Sequence, residues 1–186
     1  MALAFTSCNS DDDGVIEPLS ILHKQIDSSF KYTAPVYVDV NNDGTDDLAF
    51  NNLLVSDSRG AHNLFYIRPL GKNRTLLNMQ EELSIGNWAT ALHENEQVQE
   101  NQDSNVSWER AAAFVLDIRQ ANDTQVFYEG PLATDGNLYF GVRLWQGEKY
   151  KTGWVRLSYT MGNDEVEIRE AAFQAAANLP LKAGQR

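Results

Sequence analysis

Apolar and polar residues alternate along most of this chain in short runs separated by turn-forming residues. The runs fall at 36–40, 47–56, 63–69, 75–79, 87–92, 113–119, 125–129, 137–145, 150–160 and 165–173. A period of two is the signature of a strand with one buried face. Ten such runs without a long helical pattern predict an all-β fold, an antiparallel, jelly-roll-like β-sandwich of about ten short strands. Two Ala-rich stretches, 107–120 and 167–177, are ambiguous because alanine favours helix; the first reads as a strand from Ala113 onward. The polar stretch 94–107, rich in Asn, Gln and Glu, reads as an exposed loop.

The clearest local structure is a hairpin running from Asn137 to Trp145 and back from Tyr150 to Tyr159 across Gln146-Gly147-Glu148-Lys149. Pairing Trp145 with Tyr150 fixes the whole register, because a slip of one residue would turn every side chain to the wrong face. Leu138, Phe140, Val142, Leu144, Val155 and Leu157 then form a core face. Tyr139, Arg143, Trp145, Tyr150, Trp154 and Arg156 share the other, with Trp154 opposite Gly141 as aromatic rescue of a strand glycine. If open, that second face is a platform suited to stacking sugar rings, with arginines for their hydroxyls. If covered, it is inner packing with cross-strand pairs.

A length of 186 residues with 42% hydrophobic and 22% charged content fits one globular domain. The net charge of −11 argues against a nucleic-acid partner, which would need a basic field. The acid excess is concentrated in Asp11, Asp12 and Asp13 and in Asp39, Asp43, Asp46 and Asp47; without those seven, 19 acids stand against 15 bases. Charge therefore marks two segments and not the whole surface.

The second acidic segment has the spacing of a calcium loop. Asp39, Asn41 and Asp43 occupy positions one, three and five, and Gly44 permits a sharp turn at six. Thr45 offers its carbonyl at seven and Asp47 its carboxylate at nine, while Asp46 falls out of phase toward solvent. An EF-hand would carry a bidentate Glu at position twelve, where this chain has Phe50, and the flanks alternate as strands. The loop resembles the Asp-x-Asn-x-Asp-Gly-x-x-Asp loops of FG-GAP and related extracellular β proteins. So sparse a donor set predicts structural calcium held weakly, with Kd on the order of 10⁻⁴–10⁻³ M. The alternative is a polar hairpin turn without metal.

The first acidic segment follows the only cysteine, Cys8, which rules out an intramolecular disulfide. Phe5-Thr6-Ser7-Cys8 resembles a bacterial lipobox, and the aspartates after it resemble the surface-export signal of Bacteroidetes lipoproteins. No positively charged stretch precedes it, so Met1 is expected to lie within a longer or trimmed signal. Residues 1–14 thus read as signal remnant and acidic tether, and 15–186 as a single β-sandwich domain. Acyl chains on Cys8 would anchor the chain to a membrane, as an outer-membrane, surface-exposed lipoprotein of the cell envelope. The alternative is a disordered tail with an incidental cysteine.

Catalytic patterns are missing: there is no Gly-x-Ser-x-Gly, His-Glu-x-x-His or P-loop. His23, His62 and His93 stand apart in polar contexts and read as surface residues. A glycosidase carboxylate pair could be drawn from Glu109, Asp117, Glu129 and Glu148, but spacing alone does not single one out. The calcium loop through Phe50, the stretch Ala89 to Val98 and the Gly-Val-Arg and Gly-Trp-Val-Arg hairpin together resemble a loose group of secreted bacterial β proteins of unknown function, over most of residues 30–184. The resemblance implies export and a β fold and transfers no catalytic residue. Members often carry a C-terminal sorting signal; no such tail precedes Arg186, which agrees with an N-terminal lipid anchor. The expectation is a non-enzymatic surface binding or accessory module for glycan, or else an envelope structural protein or adhesin with protein partners. A small glycan-active hydrolase ranks behind both.

Overall fold

The computed structural model describes residues 21–83, 85–98, 104–122, 124–177 and 180–186, with Glu82 described by its backbone only. Cys8 and the aspartates after it lie outside the described residues. The fold is all-β, as the alternation predicts. Among the described residues there are thirteen strands and one short helix, α1 (Pro131–Thr134). The strands are β1 (Ile21–Lys31), β2 (Val36–Val38), β3 (Leu48–Asp57), β4 (Gly60–Pro69), β5 (Arg74–Leu83), β6 (Gly86–Ala89), β7 (Ala91–Leu92), β8 (Val106–Glu109), β9 (Ala113–Asn122), β10 (Gln125–Glu129), β11 (Asn137–Gln146), β12 (Lys149–Ser158) and β13 (Glu165–Gln174).

They form one hydrogen-bonded sheet in the order β1-β13-β12-β11-β5-β6-β9-β4-β3-β2, with β10 on β9, β7 on β11 and β8 on β5. The pairings are antiparallel except β6 with β9, which is parallel. The simple antiparallel sandwich is refined in two ways. β5 carries the ladder round a corner, pairing β11 at Arg74 and Thr75 and β6 at Leu77, Glu82 and Leu83, so the two halves are one curled sheet. The curl nearly closes into a barrel. Phe30 on β1, at one end of the order, packs 5.7 Å from Phe50 and 5.6 Å from Phe65, on β3 and β4 near the other end.

The core is what the alternation demands. Leu138, Phe140, Val142 and Leu144 of β11 and Val155 and Leu157 of β12 bury one face against Phe50, Phe65 and Leu116. Each such side chain contributes about 1.5–3 kcal/mol by leaving water. The hairpin register is the one expected, with Trp145 opposite Tyr150, Phe140 opposite Val155 and Leu138 opposite Leu157. The ambiguous stretch 167–177 is strand through Gln174, because β13 lies between β12 and β1 and pairing overrides alanine's helix preference.

Candidate metal loop and ligand edge

The loop 39–47 joins β2 to β3, and its backbone turns left-handed at Asn42 (φ 59°) and Gly44 (φ 87°). The polar side chains fold inward onto its own amides. Asp43 N donates to Asp39 Oδ1 at 3.2 Å and to Asn41 Oδ1 at 2.8 Å, so these two oxygens converge on one point. Gly44 N donates to Asp39 Oδ2 and Thr45 N to Asp43 Oδ1. Asp46 is exposed, as its phase predicts.

Asp47 differs from the rest, being 7% exposed. Its Oδ2 accepts from Val40 N at 2.9 Å and its Oδ1 from Asn73 Nδ2 at 3.0 Å. Burial pushes its carboxyl above the ordinary value despite these bonds, and Asp43 pushes the same way. Among the described residues, none of the four loop aspartates is ion-paired with Lys, Arg or His, and Lys24 donates to Asp39 O and Asn42 Oδ1 instead. Nor do the described residues gather three His, Cys, Asp or Glu side chains in metal-holding geometry. The donor set is oxygen only and crowds uncompensated carboxylates into one turn, a chemistry that fits a hard cation such as calcium. The same hydrogen bonds also complete a polar turn without it.

Asn73 links this loop to the hairpin. It is buried, and besides holding Asp47 Oδ1 its Nδ2 donates to Asp47 O at 3.1 Å. Its Oδ1 accepts from Trp145 N at 2.8 Å. The turn that carries it is pinned by Leu70 N to Asp47 O (2.9 Å) and Asn73 N to Leu70 O (3.0 Å).

Beyond Asn73, Trp145 and Tyr150 pack edge to face at 4.8 Å, both half-buried. Lys72 Nζ sits 4.9 Å from the Trp145 ring centre, and the Arg74 guanidinium 4.9 Å from that of Tyr150. Arg74 Nε donates to Tyr150 Oη at 2.9 Å, and Tyr150 Oη donates to Lys72 O. The result is an edge of two rings and two cations held by the metal loop's own support.

The six-residue platform does not form one open surface. Tyr139 and Trp154 are buried, 5.0 Å apart, in a second cluster with Leu76, Trp108, Val98, Leu181 and Ala183. Segments 95–98 and 181–183 bridge across them through Val98 N to Leu181 O and Ala183 N to Glu96 O, both 2.8 Å. Arg143 lies over Trp108 at 4.3 Å, and Arg156 pairs with the buried Glu170 at 2.8 Å. Trp154 pairs with Gly141 in register, but Leu76 and Trp108 crowd the glycine, where an added Cβ would lie 3.1 Å from each. This side of the hairpin is inner packing except at the Trp145–Tyr150 end.

Two of the three histidines depart from the surface placement expected of them. His93 is exposed, but the side chain of His23 is half-buried and its Nε2–H donates to Glu170 Oε2 at 2.6 Å. His62 is 3% exposed, with Nδ1 2.7 Å from Asp117 Oδ2 and Nε2 3.1 Å from Asp57 Oδ1. Burial alone would push its imidazolium down, but the two carboxylates outweigh it and raise it above the ordinary value. Sequence reasoning missed this cluster, although Asp117 is the one charge inside the apolar run 113–118. Of the four carboxylates considered for a hydrolase, Asp117 and Glu129 oppose each other on β9 and β10. Both are engaged, Asp117 by His62 and Glu129 by Arg119 at 3.1 Å. No protein family, curated protein or solved structure matches the chain.

Proposed function

We propose that this chain is a non-catalytic binding module of the cell envelope, anchored through lipid on Cys8, in which calcium at the 39–47 loop stiffens a glycan-binding edge. Asp39, Asn41, Asp43 and Asp47 would hold the ion through side chains and Thr45 through its carbonyl. The ion cancels crowded aspartate charge and fixes the loop. The observation that carries the reading is Asn73, which ties Asp47 to the backbone of Trp145 through one buried and one part-buried bond. Order imposed on Asp47 thereby reaches the Trp145–Tyr150 rings. Half-exposed rings beside Lys72 and Arg74 offer what a sugar needs, an apolar face to stack on and donors at its rim.

Glycan-array binding by the full chain tests this. Binding is expected in millimolar calcium, weaker in EDTA and lost in Trp145→Ala with the fold checked by circular dichroism. Binding that survives Trp145→Ala would refute the edge. A second reading, an adhesin or structural protein with protein partners, draws on Leu54 and Val126, 49% and 47% exposed in one hollow beside Ile118. Exposed apolar side chains grouped in this way mark protein contacts.

A further inference from the structure

One edge of the sheet lacks the features that keep such edges from pairing. β3 pairs with β4 along its whole length, but on its other side β2 covers only Leu48 to Phe50. From Asn51 to Asp57 that side has no strand partner among the described residues, so alternate N–H and C=O groups point outward unpaired. Edges elsewhere are blunted. β1 is bulged between Gln25 and Ser28 and carries Lys24 and Lys31, β2 is three residues long, and β10 is five residues long and begins at a register shift. The segment 51–57 pairs with β4 without a bulge and holds no Lys, Arg, Pro or Gly. Its one charge is Asp57 at the far end, already engaged by Arg59 and His62. Leu53 on one face and Leu54 on the other are 42% and 49% exposed. An unguarded edge with apolar side chains on both faces is a template for another strand.

The order of residues in the segment says which strand. It reads Asn-Asn-Leu-Leu-Val-Ser-Asp, with an apolar centre and polar ends. Opposed residues of an antiparallel pair lie on the same face of the sheet, so two copies of β3 can meet only about a two-fold axis that passes through a residue position. With the axis at Leu54, Leu54 meets its own copy, Leu53 meets Val55, Asn52 meets Ser56 and Asn51 meets Asp57. Apolar side chains then face apolar ones, polar face polar, and no charge faces a like charge. A shift of the axis by one residue breaks this match: at Leu53 it would set Leu54 against Asn52, and at Val55 it would set Leu53 against Asp57.

We propose that a second copy of this chain adds antiparallel to the open edge of β3, with Leu54 on the two-fold axis, and joins the two sheets into one. A contact of one short strand a side lies at the small end of interfaces, below about 1,200 Å² in total, so the dimer is weak and reversible. The contact depends neither on calcium nor on the glycan reading.

Sedimentation equilibrium of the full chain, with a reductant to keep Cys8 from cross-linking, tests this between about 10 μM and about 1 mM. A monomer–dimer equilibrium is expected in that range. Leu54→Lys, at an exposed position, sets two like charges against each other on the axis and should weaken the dimer at least about tenfold, with the fold unchanged by circular dichroism. Cysteines read the register, in a Cys8→Ser chain under oxidised glutathione. Opposed Cα atoms lie about 4.5–5.5 Å apart, within disulfide reach, so Leu54→Cys should cross-link to its own copy. Asn51→Cys should not, because its own copy lies about 20 Å away along the strand. A chain that stays monomeric at about 1 mM, association unaffected by Leu54→Lys, or cross-linking of Leu54→Cys no greater than that of Asn51→Cys would each overturn the proposal; the first would leave the edge to a strand of another protein.

Discussion

Replacing Asn73 by alanine isolates the link between the metal loop and the hairpin. The side chain is 7% exposed and touches both partners with its two polar atoms. Nδ2 serves Asp47 at 3.0 and 3.1 Å, and Oδ1 serves Trp145 N at 2.8 Å. Losing a bond to a buried charged group costs about 1.5–3 kcal/mol, and losing the backbone bond about 0.5–1.5 kcal/mol, nearer the lower end because water can reach half-buried Trp145. Asn73→Ala should therefore cost about 2–4 kcal/mol. For a chain of this length each kilocalorie moves Tm by ~2–4 °C, so a drop of roughly 10 °C is expected. Urea unfolding at fixed calcium, followed by tryptophan fluorescence, gives the difference as a shift in midpoint at unchanged slope. A loss below about 1 kcal/mol would mean that water replaces the amide without penalty, and the proposed relay from Asp47 to Trp145 would fail.

Two further substitutions test the buried charges. The carboxylates raise the folded-state His62 pKa above 6.5, so the stability it brings is complete below pH 6.5 and is lost as pH rises through the raised value. His62→Gln should flatten the stability curve in that window, and parallel curves for the two proteins would contradict the assignment. Burial pushes the Glu170 carboxyl up, but Arg186, His23 and Arg156 together hold it below 4.5, so its contribution is present above pH 4.5 and is lost as pH falls through the lowered value. Glu170→Gln should cost about 2–3 kcal/mol at neutral pH and speed amide exchange at Ala183; unchanged exchange would show that Glu170 does not hold the 181–186 segment.

What could be read in the sequence follows the strength of the alternation. The β11–β12 hairpin is strictly alternating around a short turn, and its register is legible residue by residue. β1 is not legible. Ile21–Lys31 is interrupted by a bulge between Gln25 and Ser28, with Asp27 at φ 46°, and this breaks the period of two. β8 hides in a polar stretch because its partner is β5, about thirty residues earlier. The spacing of 39–47 marks a candidate metal loop, but nothing local ties Asn73 to it. His62 reads as turn-like beside Gly60, although it alternates with Leu64 and Tyr66, and its burial depends on Asp117, 55 positions on. The covering of Tyr139 and Trp154 by 181–183 is likewise a long-range contact that periodicity does not encode.

Calcium tests the account most directly. Thermal unfolding of the full chain would be measured in excess EDTA, then with calcium raised to about 100 times its Kd, where one site adds ~2.7 kcal/mol to the folded state. A rise in Tm of several degrees that Asp43→Ala abolishes is the predicted result. An unchanged Tm in calcium would contradict it, leaving 39–47 a polar turn and the Trp145 edge without the metal support proposed for it.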